Sequence, residues 1–116
     1  MIVVKGNTIM VSQNDTFLTF FKMAADGYIL KGTETIRFSI KENLGDMNPL
    51  ITTTCFIDTS NNIIRVFIDK SVMVRLAAGT YYYDLDLTSK DGFHTTLVYP
   101  SQFIVREVVH SDRAGS

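Results

Sequence analysis

The sequence has no tryptophan, one cysteine, two prolines and two histidines, and no excess of either charge. Each shortage excludes something. With Cys55 alone, no disulfide forms within the chain, so stability must come from packing. Cys55 lies in an apolar, threonine-rich run with no His or Lys beside it, and is expected to be a small buried hydrophobe rather than a reactive thiol. His94 and His110 stand far apart without carboxylates at ligand spacing, so neither a metal nor any other cofactor is expected. The chain holds no Gly-x-Ser-x-Gly elbow and no phosphate-cradling Gly-x-x-x-x-Gly-Lys, and no spacing of Ser, His and Asp marks a triad. The expectation is therefore a protein that is not an enzyme. Eleven basic residues against 12 acidic ones give a net charge of −1, and the Lys and Arg are scattered singly. Nucleic-acid binding needs a concentrated basic surface, so none is expected. No apolar run approaches the roughly 18–20 residues of a membrane-spanning helix. The opening Met-Ile-Val-Val-Lys-Gly-Asn lacks the basic head, apolar run and cleavage site of a secretory signal, so no export by that route is expected.

What the chain does contain is short apolar segments rich in Thr, Val, Ile, Phe and Tyr, bounded by turn residues. That is the pattern of an all-β sandwich. Ile36, Phe38 and Ile40 alternate with Thr35, Arg37, Ser39 and Lys41, so the first set faces a core and the second faces water. Ile64, Val66 and Ile68 repeat this, with Arg65 and Phe67 outward. From Thr80 to Thr88, Tyr81, Tyr83, Leu85 and Leu87 point in, and Tyr82, Asp84 and Asp86 point out. Thr8 to Val11 reads as a short edge strand and Ile51 to Ile57 as one strand. Phe93 to Tyr99 and Gln102 to Val109 read as two strands divided by Pro100. Thr16 to Met23 is extended but apolar on both faces: Phe17, Phe21 and Met23 share one parity, Leu18 and Phe20 the other.

Ala25-Asp26-Gly27 and Lys90-Asp91-Gly92 read as hairpin turns, Thr59 to Asn62 as a polar turn, and Glu42 to Pro49 as a loop. Val72, Met73 and Leu76 predict one helical turn near 70–77 that crosses between sheets, capped by Asp69 or Ser71. The chain reads as one domain, 1–109, with a polar tail over 110–116.

The most specific segment is Leu76-Ala-Ala-Gly-Thr-Tyr-Tyr-Tyr-Asp-Leu85. An apolar turn, Gly79, then Tyr81 and Tyr83 match the corner between the fifth and sixth strands of immunoglobulin-like sandwiches, where a tyrosine hydroxyl bonds back to upstream backbone. Tyr81 is the expected tie; Tyr83 stands where antibody domains carry a cysteine and would fill that space with a ring. The fold class expected is therefore an immunoglobulin-like antiparallel β-sandwich of about 7–9 short strands. Over roughly residues 3 to 106 the chain resembles the N-terminal domain of phage baseplate upper proteins, a family of phage and prophage tail structural proteins. The resemblance is carried by Val-Lys-Gly-Asn-Thr at the start, Asn14-Asp-Thr-Phe-Leu-Thr-Phe20, Ala25-Asp-Gly27, Thr35 to Lys41, the tyrosine corner, Lys90-Asp-Gly92, Thr95-Thr-Leu97 and Phe103-Ile-Val105.

The resemblance implies a structural role without catalytic residues. It also implies self-association or docking to other tail proteins, with assembly in bacterial cytoplasm and a final place in the virion tail. The residues suggest a surface for this: Phe17, Phe20, Phe21, Phe67 and Tyr82, because clustered outward rings mark contact surfaces. A carbohydrate- or cell-surface-binding module, with a host-surface glycan as ligand, is the alternative; Phe67, Tyr82 and Tyr99 are its candidate platforms. Asp84 and Asp86, with Asp58 or Asp69, form a weak calcium candidate against the simpler reading of a solvated strand face.

Overall fold

A period of two from Thr35 to Lys41 puts Ile36, Phe38 and Ile40 on one side of an extended chain. In the computed structural model, which describes residues 2–5 (backbone only), 7–23 and 28–107, these three side chains are fully buried. The same alternation, punctuated by turns, yields β1 (Ile2–Lys5), β2 (Thr8–Ser12), β3 (Phe17–Lys22), β4 (Thr35–Lys41), β5 (Ile51–Thr54), β6 (Phe56–Asp58), β7 (Ile63–Ile68), α1 (Lys70–Met73), β8 (Gly79–Thr88) and β9 (His94–Arg106). Strands β1-β2-β9-β8-β4-β5 form, in that order, a six-stranded sheet, and β3-β7-β6 a three-stranded one. The chain is an all-β, two-layer structure.

Four details correct the sequence reading. Not every pair is antiparallel: β2 runs parallel to β9, from Ile9 beside Phe103 to Ser12 beside Arg106. Nor is β2 an edge, because β1 folds back onto its other side. Ile51 to Ile57 is two strands, not one. Cys55 donates its N–H to the Ile36 carbonyl at 2.8 Å, and beyond it the chain leaves the large sheet and joins the small one. Finally, Pro100 does not divide β9. The β8–β9 register shifts between Tyr83 and Leu85 and again between Leu85 and Asp86, and such bulges accept a residue with no N–H to give.

The connections follow local chemistry. Asp69 caps α1 by accepting the Ser71 N–H at 3.0 Å, and the helical turn carries Met73 into the core on the way from β7 to β8. In the β8–β9 hairpin Gly92 takes φ 93°, a conformation that costs glycine nothing, while Ser89 N–H bonds the Phe93 carbonyl at 2.7 Å. The expected turn at Ala25–Gly27, the end of the last strand at Val108–Val109 and the tail at 110–116 lie outside the described residues.

Two polar side chains that no periodicity signals hold the β3–β4 connection. The Asn62 amide donates to the carbonyls of Met23 (3.1 Å) and Tyr28 (2.9 Å) and accepts the Leu30 N–H at 2.7 Å. Glu34, buried just before β4, accepts the Tyr28 hydroxyl at 2.7 Å and the N–H groups of Lys31 and Gly32 at 2.9 Å. Burial pushes its carboxyl upward, but the bonds from Lys31, Tyr28 and Gly32 outweigh this and hold it below the ordinary value.

Between the layers lies a cluster of five rings. Phe17 and Phe21 come from the small sheet; Phe38, Tyr83 and Phe103 come from the large one. Phe38 stacks on Tyr83 at 5.1 Å and on Phe17 at 5.5 Å, and Phe103 meets Phe17 edge-on at 5.3 Å. The Tyr83 hydroxyl leaves this cluster to donate to the Asn7 carbonyl at 2.5 Å, which ties β8 to the β1–β2 turn.

Two outcomes are expected. Tyr83→Phe leaves Asn7 without that donor and costs about 1–2 kcal/mol at neutral pH in urea unfolding. Burial pushes the Tyr83 hydroxyl up to about 12. Its contribution is therefore complete below the free value of about 10 and is lost as pH rises through the folded value, and Tyr83→Phe flattens that alkaline decline. Glu34→Gln has the opposite sign. A carboxyl lowered by folding stabilises fully above the ordinary value and loses this as pH falls through the folded one. The substitution should cost about 1–3 kcal/mol at pH 7 and flatten the acid limb of the stability curve.

Candidate functional site

Strand β3 is apolar on both faces, and the structure gives the two faces different surroundings. Phe17 is completely buried and Phe21 half-buried against Phe38 and Tyr83. Both were candidates for a partner surface; they are core residues instead, because their parity faces the large sheet. Leu18 and Phe20, of opposite parity, are each 59% exposed. Register then decides their neighbours. Leu18 pairs with Phe67 of β7, which is 54% exposed. Phe20 and Phe56 both pair with Arg65, one from each side, and Phe56 is 66% exposed.

The outer face of the small sheet therefore carries two adjoining rows of directly opposed residues, Leu18–Phe67 and Phe20–Arg65–Phe56; Cβ atoms of such pairs are typically about 4.5–5.5 Å apart. These four apolar side chains expose roughly 400–500 Å² together, taking an aromatic side chain as about 200 Å². That is the size of the largest apolar patch on a typical monomer, which is often functional. The one charge inside it is already paired: Arg65 Nη2 lies 3.2 Å from Asp58 Oδ2. Asp58 also accepts from the Asn61 side chain and N–H, and these bonds, with Arg65, hold its carboxyl below the ordinary value. A neutralised cation between two rings is cheap to desolvate compared with a bare one.

Tyr82 does not join this face. It lies half-buried on β8, on the outer side of the large sheet with Asp84 and Asp86. That side is polar: Lys41 sits 3.7 Å from Asp84, and His94 sits 3.6 Å from Asp86. Burial and the charge of Asp86 raise the Asp84 carboxyl, partly offset by Lys41. Asp58 is on the other sheet with Arg65, and Asp69 caps α1, so the four aspartates do not converge. Among the described residues no group of three or more His, Cys, Asp or Glu could hold a metal ion. Nor is any helix there long and apolar enough to cross a membrane. Tyr82 and Tyr99 lie on the paired strands β8 and β9 of the large sheet, whereas Phe67 lies on the small sheet, so the three do not share one sheet. Cys55 is buried, and burial together with the charge of Asp86 pushes its thiol up to about 12, so it stays protonated.

At the corner before β8, the Tyr81 hydroxyl donates to the Ala77 carbonyl at 2.7 Å, across Gly79, while Tyr83 sits in the ring cluster. A separate groove of about 630 Å³ lies at the hairpin end, lined by Met23, Tyr28, Leu87, Phe93 and Leu97 among others. Of its polar groups, Tyr28 donates to Glu34, which lies outside the groove lining, and Ser89 donates to Asp91.

Compared with known proteins, the chain matches no family model and no curated protein.

The two faces of β3 make opposite predictions. Phe17→Ala opens a hole in the ring cluster and should cost about 3–5 kcal/mol in urea unfolding. Phe20→Ser and Phe67→Ser should each cost less than about 1 kcal/mol, because they remove rings already in water.

Proposed function

We propose that this domain is a non-enzymatic structural module of a phage or prophage tail, of the baseplate type, which works by docking. Its chemistry is burial of apolar surface, not bond-making. One observation carries the docking part of this reading: Phe20, Phe56, Phe67 and Leu18 form a contiguous outward face around a paired Arg65. A monomer gains nothing from holding three rings in water on adjoining strands, whereas a protein surface that covers them gains their burial.

The finer fold assignment, immunoglobulin-like, belongs to the same proposal. The order β3-β7-β6 corresponds to strands B-E-D of such domains, and β9-β8-β4 to G-F-C, with β5 flanking as in variable-type sheets. The Tyr81–Ala77 bond is the tyrosine tie of that corner. The resemblance to baseplate upper proteins rests on the ordered segments already quoted. On this reading the partners are further copies of the chain and other tail proteins, met in bacterial cytoplasm during assembly and carried into the virion tail. The glycan-binding alternative is less favoured, because Phe67 lies on a different sheet from Tyr82 and Tyr99.

Co-expression with the products of the neighbouring genes tests the proposal. The chain should co-sediment with a tail protein at fixed stoichiometry, and Phe20→Arg should abolish this while the variant remains folded. A chain that sediments alone beside fully assembled neighbours, or a Phe20→Arg variant that assembles normally, contradicts it.

A further inference from the structure

We infer that the outer face of the small sheet receives a second copy of this chain, small sheet against small sheet about a two-fold axis. The inference rests on the reading of that face as a docking surface and names its occupant. A two-fold contact demands a self-complementary patch, since each residue meets its counterpart's surroundings on the other copy. This face meets the demand. Arg65 lies between Phe20 and Phe56, so one face carries both a cation and the ring faces that attract it. Paired about such an axis, the Arg65 of each copy would have rings of the other within reach. Asp58, at 3.2 Å from Arg65, keeps the two guanidinium groups from meeting as bare like charges. The net charge of −1 leaves little long-range repulsion between copies.

Shape agrees with charge. The face is a three-stranded layer, and such layers stack at about 10 Å with their strands roughly 30° apart. The inner face of this sheet already packs on the large sheet through the ring cluster. Area sets the strength. The three rings and Leu18 of two copies would bury roughly 800–1,000 Å² together, and a polar rim brings the total near the lower limit of about 1,200 Å² for specific complexes. The pair is therefore weak when free and dissociates in the micromolar range or above. Copies held side by side in a larger assembly would be driven together by their high local concentration, with no new contact needed.

Sedimentation equilibrium of the chain from about 5 µM to about 500 µM tests this, a range that brackets the affinity of a small interface. The mass should rise from that of one 13.1 kDa chain toward two as concentration increases. The double variant Phe20→Ser, Phe67→Ser should remain a single chain throughout, with a melting curve that shows it folded. Arg65→Gln should weaken association at least several-fold. Arg37→Gln, which removes the same charge from the outer side of the large sheet, should leave it unchanged. A wild-type chain of single mass over the whole range overturns the inference. So does a dimer that survives in the double variant. If the chain is a monomer while Phe20→Arg still abolishes co-sedimentation with a tail protein, the second copy is wrong and the docking face stands. If co-sedimentation is also untouched, both fall.

Discussion

Five rings hold the two layers of this protein together. Phe17 and Phe21 descend from the small sheet into a bed formed by Phe38, Tyr83 and Phe103, and their centroids lie 5.1 to 6.4 Å apart. Rings at these separations combine large apolar burial with favourable edge and offset contacts. No disulfide shares the load, since the only cysteine is Cys55. The rest of the fold is arranged around this cluster. Tyr83 extends it to Asn7, and α1 and the Tyr81 tie bring β8 back over it.

The cluster also determines what the small sheet has left to offer. A three-stranded layer whose inward parity is committed to the rings of the large sheet must present its other parity to solvent. In most surface sheets that parity is polar, and the large sheet follows this rule with Lys41, Asp84, Asp86 and His94. The small sheet departs from it with Leu18, Phe20, Phe56 and Phe67. Strand β3 therefore divides its side chains between alternate positions: one set secures the fold, and the other stays in solvent, where the proposed partner would cover it.

Much of this was legible in the sequence. Alternation in β4, β7 and β8 fixed which residues face inward, because the side-chain period of a strand leaves no freedom once one residue is assigned. The spacing of Val72, Met73 and Leu76 announced α1, with Asp69 or Ser71 as its cap, and Lys90-Asp91-Gly92 announced the last hairpin. What could not be read was long-range pairing. β2 lies beside β9 although nearly the whole chain separates them, and no local pattern encodes that neighbour. The sheet switch at Cys55 was hidden because the alternation continues unbroken across it, from Ile51 through Thr53 and Cys55 to Ile57. Phe56 was missed among the outward rings, because nothing local placed it beside Arg65. In β3 both parities are apolar, so periodicity gave two faces without saying which one was the core. Phe17 and Phe21 were grouped with Phe20 for this reason. Glu34 and Asn62 act through single hydrogen-bond networks in a connection, where no periodicity exists to reveal them.

The inner rings belong to the fold, and on the proposed function the outer rings belong to a partner. Hydroxyl-radical footprinting read by mass spectrometry tests both halves at once, on the dilute chain and on the chain within its assembly. The account predicts that Phe20, Phe56 and Phe67 label readily when free and are protected on assembly, while Phe17, Phe38 and Phe103 stay unlabelled in both states. Equal labelling of Phe17 and Phe20 in the free chain, or outer rings as reactive in the assembly as in isolation, would contradict it.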